Sequence, residues 1–175
     1  DAEGASALEA ACFEGAGHEA WTPGMFLSEL GEDVAAPRSW WVAHDDGQLL
    51  GLAGGMVVDG DVQILDVAVD PKHRREGIAR KLLSHVSYDA QMLGCTTASL
   101  EVEDGNEGAI ALYVSLGFTE AGCRRGYYGV GKDAIVMTAP LPLVLPVDNA
   151  SPEPTAAEQR VWPLPAPERT VEERA

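Results

Sequence analysis

The chain contains 175 residues, of which 46% are apolar, and its formal net charge is −16 at pH 7. This length is sufficient for one domain with a hydrophobic core, and no apolar run approaches the roughly 20 residues that a membrane-spanning helix needs. The strong negative charge argues against nucleic acid and membranes as partners, because nucleic acid and anionic lipid surfaces would both repel the protein.

Two short helical segments open the chain. The first is predicted over residues 6–13. The second begins just after Trp21, with Thr22 at the N-cap and Pro23 at the first helical position. Three β-branched or apolar strands follow, at residues 38–43, 49–58 and 62–69. The connections contain Asp-Gly turn signals, so we expect these three strands to pair as antiparallel neighbours.

The second half of the chain alternates between helical and strand patterns. Its elements are predicted in the order helix, strand, helix, strand, strand, at residues 78–93, 96–102, 107–116, 118–125 and 133–138. Antiparallel strands followed by a strand–helix–strand–helix unit favour an α/β fold. We therefore expect a mixed, mostly antiparallel central sheet with helices on both faces.

The composition changes at Pro140, since eight of the eleven prolines lie from this residue onward. Such a segment cannot bury much apolar surface, so we predict a domain over residues 1–139 and an extended or disordered tail over residues 140–175. A small docking motif formed by Val161, Trp162 and Leu164 is the alternative interpretation of this tail.

The cysteines and histidines show no metal-binding spacing. Cys12, Cys95 and Cys123 are odd in number and far apart, which predicts a reducing, cytoplasmic setting without structural disulfides. We expect no metal. The opening residues lack both a basic start and an apolar stretch, so we expect no signal peptide.

The most informative stretch is the strand at residues 62–69 together with the turn and helix that follow it. Asp70 and Pro71 end the strand, and residues 74–79 lead into the helix. The first N–H groups of a helix have no intrahelical partner and attract anions, and Gly77 would let a phosphate approach the backbone. The alternative is an ordinary basic loop in front of an amphipathic helix.

Several motifs in one order distinguish these alternatives. The spacing Arg74-x-x-Gly77-x-Ala79 resembles the pyrophosphate loop of the GCN5-related N-acetyltransferases. Residues 100–118, with a strand, an asparagine, a helix, a tyrosine and Gly-Phe, resemble the second half of such a domain. The stretches 21–26 and 122–137 narrow the resemblance to the RimI-type ribosomal-protein-alanine N-acetyltransferases, over residues 5–140.

This resemblance implies acetyl-CoA as co-substrate. The backbone of Val67, Ala68 and Val69 would pair with the pantetheine arm and help to stabilise the tetrahedral oxyanion. The pyrophosphate would bind to the residues of the loop, namely Arg74, Arg75, Glu76, Gly77, Ile78 and Ala79. Asn106 would also contact CoA, although an asparagine at this position is equally suited to be a helix N-cap.

The resemblance also assigns two catalytic residues. Glu101 matches the family's general base, and such a group is needed because an α-amine with a pKa just under 8 is mostly charged at neutral pH. Glu103, on the same face of its strand, is the second candidate. Tyr113 matches the general acid that protonates the departing thiolate. A surface carboxylate and a core tyrosine are the structural alternatives.

The acceptor is expected to be the N-terminal α-amine of a peptide or protein, with the alanine N-terminus of a ribosomal protein implied by the resemblance. Trp21, Tyr127 and Tyr128 would flank the peptide channel, although aromatic residues there are as well suited to the core or its rim. The alternatives are a lysine or small-amine N-acetyltransferase of the same fold, and a non-catalytic acyl-CoA-binding module.

One feature departs from the family pattern. The family begins with a strand, whereas this chain begins with the first helix, so the first strand is missing from the predicted fold. Either the start of the chain is truncated, or the neighbouring edge of the sheet is left unpaired, which is a risk for stability and aggregation.

Overall fold

The computed structural model describes residues 2–13, 20–29, 36–144 and 157–161. The helices are α1 (Ala2–Phe13), α2 (Pro23–Glu29), α3 (Ile78–Met92) and α4 (Glu107–Ser115), with a 3₁₀ turn at Pro71–His73. The strands are β1 (Arg38–Asp45), β2 (Gln48–Val58), β3 (Asp61–Val69), β4 (Thr97–Glu103), β5 (Thr119–Arg124), β6 (Ala134–Pro140) and β7 (Glu158–Arg160). The predicted elements are present, with shifted ends.

The strands form one sheet in the order β5-β6-β4-β3-β2-β1-β7. Only β3 and β4 pair in parallel among these strands, so the prediction of a mixed, mostly antiparallel sheet is confirmed. The parallel pairing covers only residues 61–63 of β3 and 97–99 of β4. Beyond these residues the two strands diverge, and a gap opens between them in the middle of the sheet.

Hydrophobic clusters cover both faces of the sheet, as predicted. One cluster packs residues of α3 and α4, such as Leu82 and Tyr113, against the sheet. A second cluster packs Leu8 of α1 and Phe26 of α2 against β1–β3. Consecutive strand residues point to opposite faces, which explains why the adjacent indoles of Trp40 and Trp41 belong to different clusters.

A β-bulge in β3 decides which side chains face α1. Asp66 pairs with Gly54 and Ile64 pairs with Gly55, so Leu65 is an extra residue on β3. Leu65 packs against the cluster that contains Ala68. Asp66 lies two residues before Ala68 and therefore shares its face. The bulge thus directs the Asp66 carboxyl toward the α1 side of the sheet.

A strand from the predicted tail covers the edge of β1, which corrects the expectation of an unpaired edge. β7 pairs antiparallel with β1. The Arg160 guanidinium forms an ion pair with Asp89 and lies over Trp41, 5.1 Å from the ring centroid. Glu158 lies 3.0 Å from Nε2 of His85. These stabilising contacts join polar side chains that are distant in sequence, so β7 could not be predicted from a local apolar pattern.

The domain boundary and the docking motif that were predicted for the tail are not tested by the rest of its described residues. β6 continues to Pro140, one residue past the predicted boundary. Val161 is partly exposed, whereas Trp162 and Leu164 of the predicted docking motif lie outside the described residues. The boundary at residue 139 and the docking motif therefore stay predictions.

The hydropathy of the helices and the state of the cysteines were also predicted from the sequence. Within the described ranges, no helix is both long enough and apolar enough to cross a membrane. Cys12, Cys95 and Cys123 are all free thiols, and Cys95 is buried.

Candidate active site

A cleft of about 340 Å³ lies where β3 and β4 diverge. Its lining includes eight residues that the sequence singled out, namely Trp21, Val67, Glu101, Glu103, Asn106, Tyr113, Tyr127 and Tyr128. The remaining charged side chains in the lining are all carboxyls, with no lysine, arginine or histidine among the described lining residues. Within this described lining, any charge that a side chain presents to a guest is therefore negative.

Glu101 lies on β4, on the face opposite to the buried residues Leu100 and Val102. Its carboxylate forms an ion pair with Nη1 of Arg124 at 3.2 Å, and its side chain is 27% exposed. The Tyr128 hydroxyl donates a hydrogen bond to the Glu101 carbonyl oxygen at 3.1 Å. Glu101 is thus held at the cleft wall through both its side chain and its backbone.

Glu103, the second predicted base, also has a cationic partner. Its carboxylate lies 3.1 Å from Nζ of Lys132, with 21% of the side chain exposed. Glu101 and Glu103 both line the cleft. Each base candidate therefore faces the cleft with its negative charge compensated by a cation. Arg124 is the last residue of β5, and Lys132 lies on the segment that connects β5 to β6.

Tyr113 belongs to the core and to the cleft at once. Its ring packs edge-on against Phe118, with centroids 5.8 Å apart, and the residue is 8% exposed. Burial, and then the nearby Asp66 and Tyr128, raise the pKa of Tyr113 above its ordinary value. The phenol therefore keeps its proton at neutral pH, which is what a proton donor requires.

The aromatic residues divide between core and rim. Trp21 packs against Phe26 at 5.1 Å and Trp40 at 5.7 Å between ring centroids, which anchors it to the core cluster on the α1 side. Tyr127 is half exposed and lies perpendicular to Tyr128, with centroids 5.0 Å apart. Burial is the main cause that raises the pKa of Tyr128 to about 12.

Two buried carboxyls in the cleft were not predicted, those of Asp66 and Glu9. Burial, and then the nearby Glu9, raise the pKa of Asp66 well above its ordinary value, and a hydrogen bond from Val67 opposes this only in part. Burial likewise raises the pKa of Glu9 to about 7, against a hydrogen bond from the Trp21 N–H. An acidic residue inside the apolar strand at 62–69 was the available signal, because unpaired charges are rarely buried.

The backbone of β3 borders the cleft beyond the bulge. Asp70 donates its N–H to Leu50 on the β2 side. Because backbone groups alternate in direction along a strand, the N–H groups of Val67 and Val69 point to the other side, toward β4. The Val69 carbonyl oxygen accepts a hydrogen bond from the Cys12 thiol at 3.1 Å, and the Ala68 side chain is buried.

The predicted anion loop follows β3 but lies outside the lining of the cleft. Gly77 is the N-cap of α3 and adopts a left-handed conformation with φ 85°, with no side-chain hydrogen bond to the helix N-terminus. Arg75 is also left-handed, with φ 70°. Nη2 of Arg74 donates to the Cys12 carbonyl at 3.2 Å. The loop thus presents backbone N–H groups and arginines at the start of α3, as an anion site requires.

Asn106 has the structural role that the sequence offered as its alternative. Its side-chain oxygen accepts a hydrogen bond from the Ala109 N–H at 3.2 Å, so it is the N-cap of α4. It also lines the cleft. A contact with CoA stays a prediction.

Comparison with known proteins agrees with this geometry. Residues 4–118 match the family model described as "Acetyltransferase (GNAT) family". The chain is 36% identical to the [ribosomal protein bS18]-alanine N-acetyltransferase of Escherichia coli, over 69% of this chain and 81% of that protein. It is 37% identical to the N-alpha-acetyltransferase RimI of Mycobacterium tuberculosis, over 78% of this chain and 85% of that protein.

Structural comparison leads to the same family. The crystal structure of the ribosomal-protein-S18-alanine N-acetyltransferase from Escherichia coli superposes with a TM-score of 0.68 at 34% identity, covering 81% of this chain and 88% of that one. The family resemblance read from the sequence is therefore confirmed. The chain belongs to the GNAT acetyltransferase family and is an N-acetyltransferase.

Proposed function

We propose that this protein transfers the acetyl group of acetyl-CoA to the N-terminal α-amine of a protein, with alanine at the N-terminus of a ribosomal protein, or a similar N-terminus, as the acceptor. The observation that carries the proposal is the meeting of Glu101 and Tyr113 in one cleft between diverging strands. The choice of acceptor is supported by relatives whose names specify alanine N-acetylation of a ribosomal protein.

Two features of the chain fit acetyl-CoA as the donor. The β3 edge beyond residue 63 has no β4 partner, and the N–H groups of Val67 and Val69 face the gap, so the amides of an extended arm have groups to pair with. The N-terminus of α3 suits a pyrophosphate, because its N-cap residue, Gly77, has no side chain that could occupy the N–H groups there. CoA supplies the acetyl group as a thioester, with the thiolate as leaving group.

In this mechanism Glu101 removes the proton from the acceptor amine, directly or through a water molecule. The amine nitrogen forms the new bond to the acetyl carbon, and the carbon–sulfur bond breaks. The proton that Glu101 removes makes the amine neutral before attack. Tyr113 then donates its proton to the departing sulfur, and the second proton that the nitrogen loses on forming the amide restores the phenol. The Val69 N–H is the main candidate for stabilising negative charge on the carbonyl oxygen, because the Val67 N–H already donates a hydrogen bond to the Asp66 carboxyl.

Glu101 must leave its ion pair, at least in part, to reach the amine. The Arg124 guanidinium that holds it is on a side chain that is 58% exposed, and exposed ion pairs contribute little to stability. The acceptor chain would pass between Trp21 on one side and Tyr127 and Tyr128 on the other. The three free cysteines are compatible with the cytoplasmic setting that such a substrate implies.

Acetyl transfer to a peptide panel, followed by mass spectrometry, tests the proposal. The panel contains peptides with free Ala, Ser or Met N-termini, and N-blocked peptides with one lysine. We expect modification of the free N-termini alone, with alanine preferred. Modification of the blocked lysine peptides would instead identify a lysine acetyltransferase. CoA binding without any product would favour a small-amine acceptor or a non-catalytic binding module.

A further inference from the structure

The four carboxyls of the cleft fall into two pairs that differ in their partners. Glu101 and Glu103 form ion pairs with Arg124 and Lys132. Asp66 and Glu9 have no cationic partner among the described residues. The cleft therefore contains one pair of carboxyls that the protein itself neutralises and one pair that it does not.

The second pair is also much more buried. Asp66 is 8% exposed and Glu9 is 2% exposed. Glu9 has one hydrogen bond, accepted by Oε2 from the Trp21 N–H. Oδ2 of Asp66 is buried without a hydrogen-bond partner among the described residues, in a side chain that lines the cleft. A buried oxygen with no donor is unfavourable and is normally paired in native proteins.

The bulge in β3 is the reason why this oxygen faces the cleft from the α1 side. If Leu65 were paired regularly, without the bulge, alternation along the strand would put Asp66 on the same face as Ile64, away from α1. Instead it lies on the same face as Ala68 and close enough to Glu9 for the two carboxyls to repel each other electrostatically. Burial and the nearby Glu9 raise the pKa of Asp66 and so favour its protonated form, whereas a cationic donor beside Oδ2 would favour the ionised form.

We propose that Asp66, with Glu9 behind it, binds the ammonium group of the acceptor before the transfer. An ammonium ion supplies a positive charge and three N–H donors, which meets the needs of the unpaired Asp66 oxygen. This inference rests on the proposed function, because it specifies how that same cleft recognises an amine. Asp66 forms no covalent bond in this step, and Glu101 remains the base.

The test compares two ligands that differ only in the amine. One is an Ala-starting peptide, and the other is its desamino analogue, in which a propionyl group replaces the alanine. Binding of each to the CoA-saturated protein is measured by calorimetry. We expect the wild type to prefer the amine by about tenfold or more. In Asp66→Asn this preference should fall close to one, because the neutral amide retains the shape but not the charge.

Matched variants control for folding and net charge. Asp104→Asn removes one exposed carboxylate from the turn after β4 and should keep the full preference for the amine. Glu9→Gln should reduce the preference less than Asp66→Asn, because Glu9 lies behind it. Thermal unfolding of each variant checks the fold, and Asp66→Asn is expected to unfold at the same temperature as the wild type or higher.

The possible failures are distinguishable. An unchanged amine preference in folded Asp66→Asn would overturn the inference while leaving the proposed function intact. If the wild type acetylates blocked lysine peptides instead, the proposed function fails, and the same comparison is made between lysine and norleucine peptides. A wild type that shows no preference for either amine over its analogue would also overturn the inference.

Discussion

Removing one oxygen atom from Tyr113 separates its structural role from its chemical one. The substitution Tyr113→Phe keeps the ring that packs against Phe118. The hydroxyl forms no hydrogen bond with the described residues, so its loss leaves no partner unsatisfied. We therefore expect the free energy of unfolding to change by less than about 1 kcal/mol.

The expected effect on the rate is much larger. Burial raises the pKa of Tyr113, so the wild-type phenol is protonated throughout the neutral range and is available as a donor. Loss of a positioned general acid typically lowers the rate by about 10²–10⁴-fold. We expect kcat to fall by about 100-fold or more, with little change in the KM for acetyl-CoA. The assay follows the release of free CoA thiol with an Ala-starting peptide as acceptor.

A matched control excludes general effects of the substitution. Tyr88→Phe makes the same change on α3, at a tyrosine that is 43% exposed and outside the lining of the cleft. It should retain wild-type activity. A Tyr113→Phe protein that keeps more than half of the wild-type kcat would refute the assignment of Tyr113 as general acid.

Three further predictions follow from the geometry. In Gly54→Ala the new Cβ would lie 2.3 Å from the Trp40 ring, so we expect a loss of about 1–3 kcal/mol in urea unfolding, whereas Gly108→Ala, with no atom within 4 Å, should cost nothing. Gly77→Val would force a β-branched residue to a φ of 85° at the start of α3 and should weaken CoA binding at least tenfold by calorimetry, while a retained affinity would contradict the anion site. The folded protein holds the Glu9 proton up to about pH 7, against 4.5 when unfolded, so stability due to this group is lost as the pH rises between these values. Unfolding curves from pH 4 to pH 8 should show that Glu9→Gln gains up to about 3 kcal/mol over the wild type across this window, and parallel curves would contradict the raised pKa.

Much of the fold could be predicted because its signals are local. The alternation of Ala98, Leu100 and Val102 with polar residues identified β4 and its buried face, which the structure confirms. Turn residues such as Gly47, at φ 82°, identified the hairpins of the antiparallel half. The apolar spacing of α3 and the glycines at its two ends identified this helix and its bounds. Each signal is contained within one element or its end.

The remaining features depend on residues distant in sequence. β7 pairs with β1 through Arg160 and Glu158, which contact residues of β1 and α3 rather than one another. The bulge at Leu65 depends on how β2 and β3 pair, and a continuous apolar run does not reveal an extra residue. Glu9 approaches Asp66 only once α1 has packed on the sheet. Asp66 within an apolar strand was a local signal, but its pairing with Glu9 was out of reach of local patterns.

The proposed acceptor wall at Trp21 is part of the hydrophobic core, which would link specificity to stability. Trp21 packs on Trp40, and Trp40 in turn lies so close to Gly54 that only glycine fits there. The Trp21 backbone is also tied to Glu9, one of the two uncompensated carboxyls. A substitution that disturbs this aromatic cluster should therefore alter amine affinity as well as stability, although it touches neither donor nor acceptor. The buried carboxyls are held in place by the same packing that stabilises the protein.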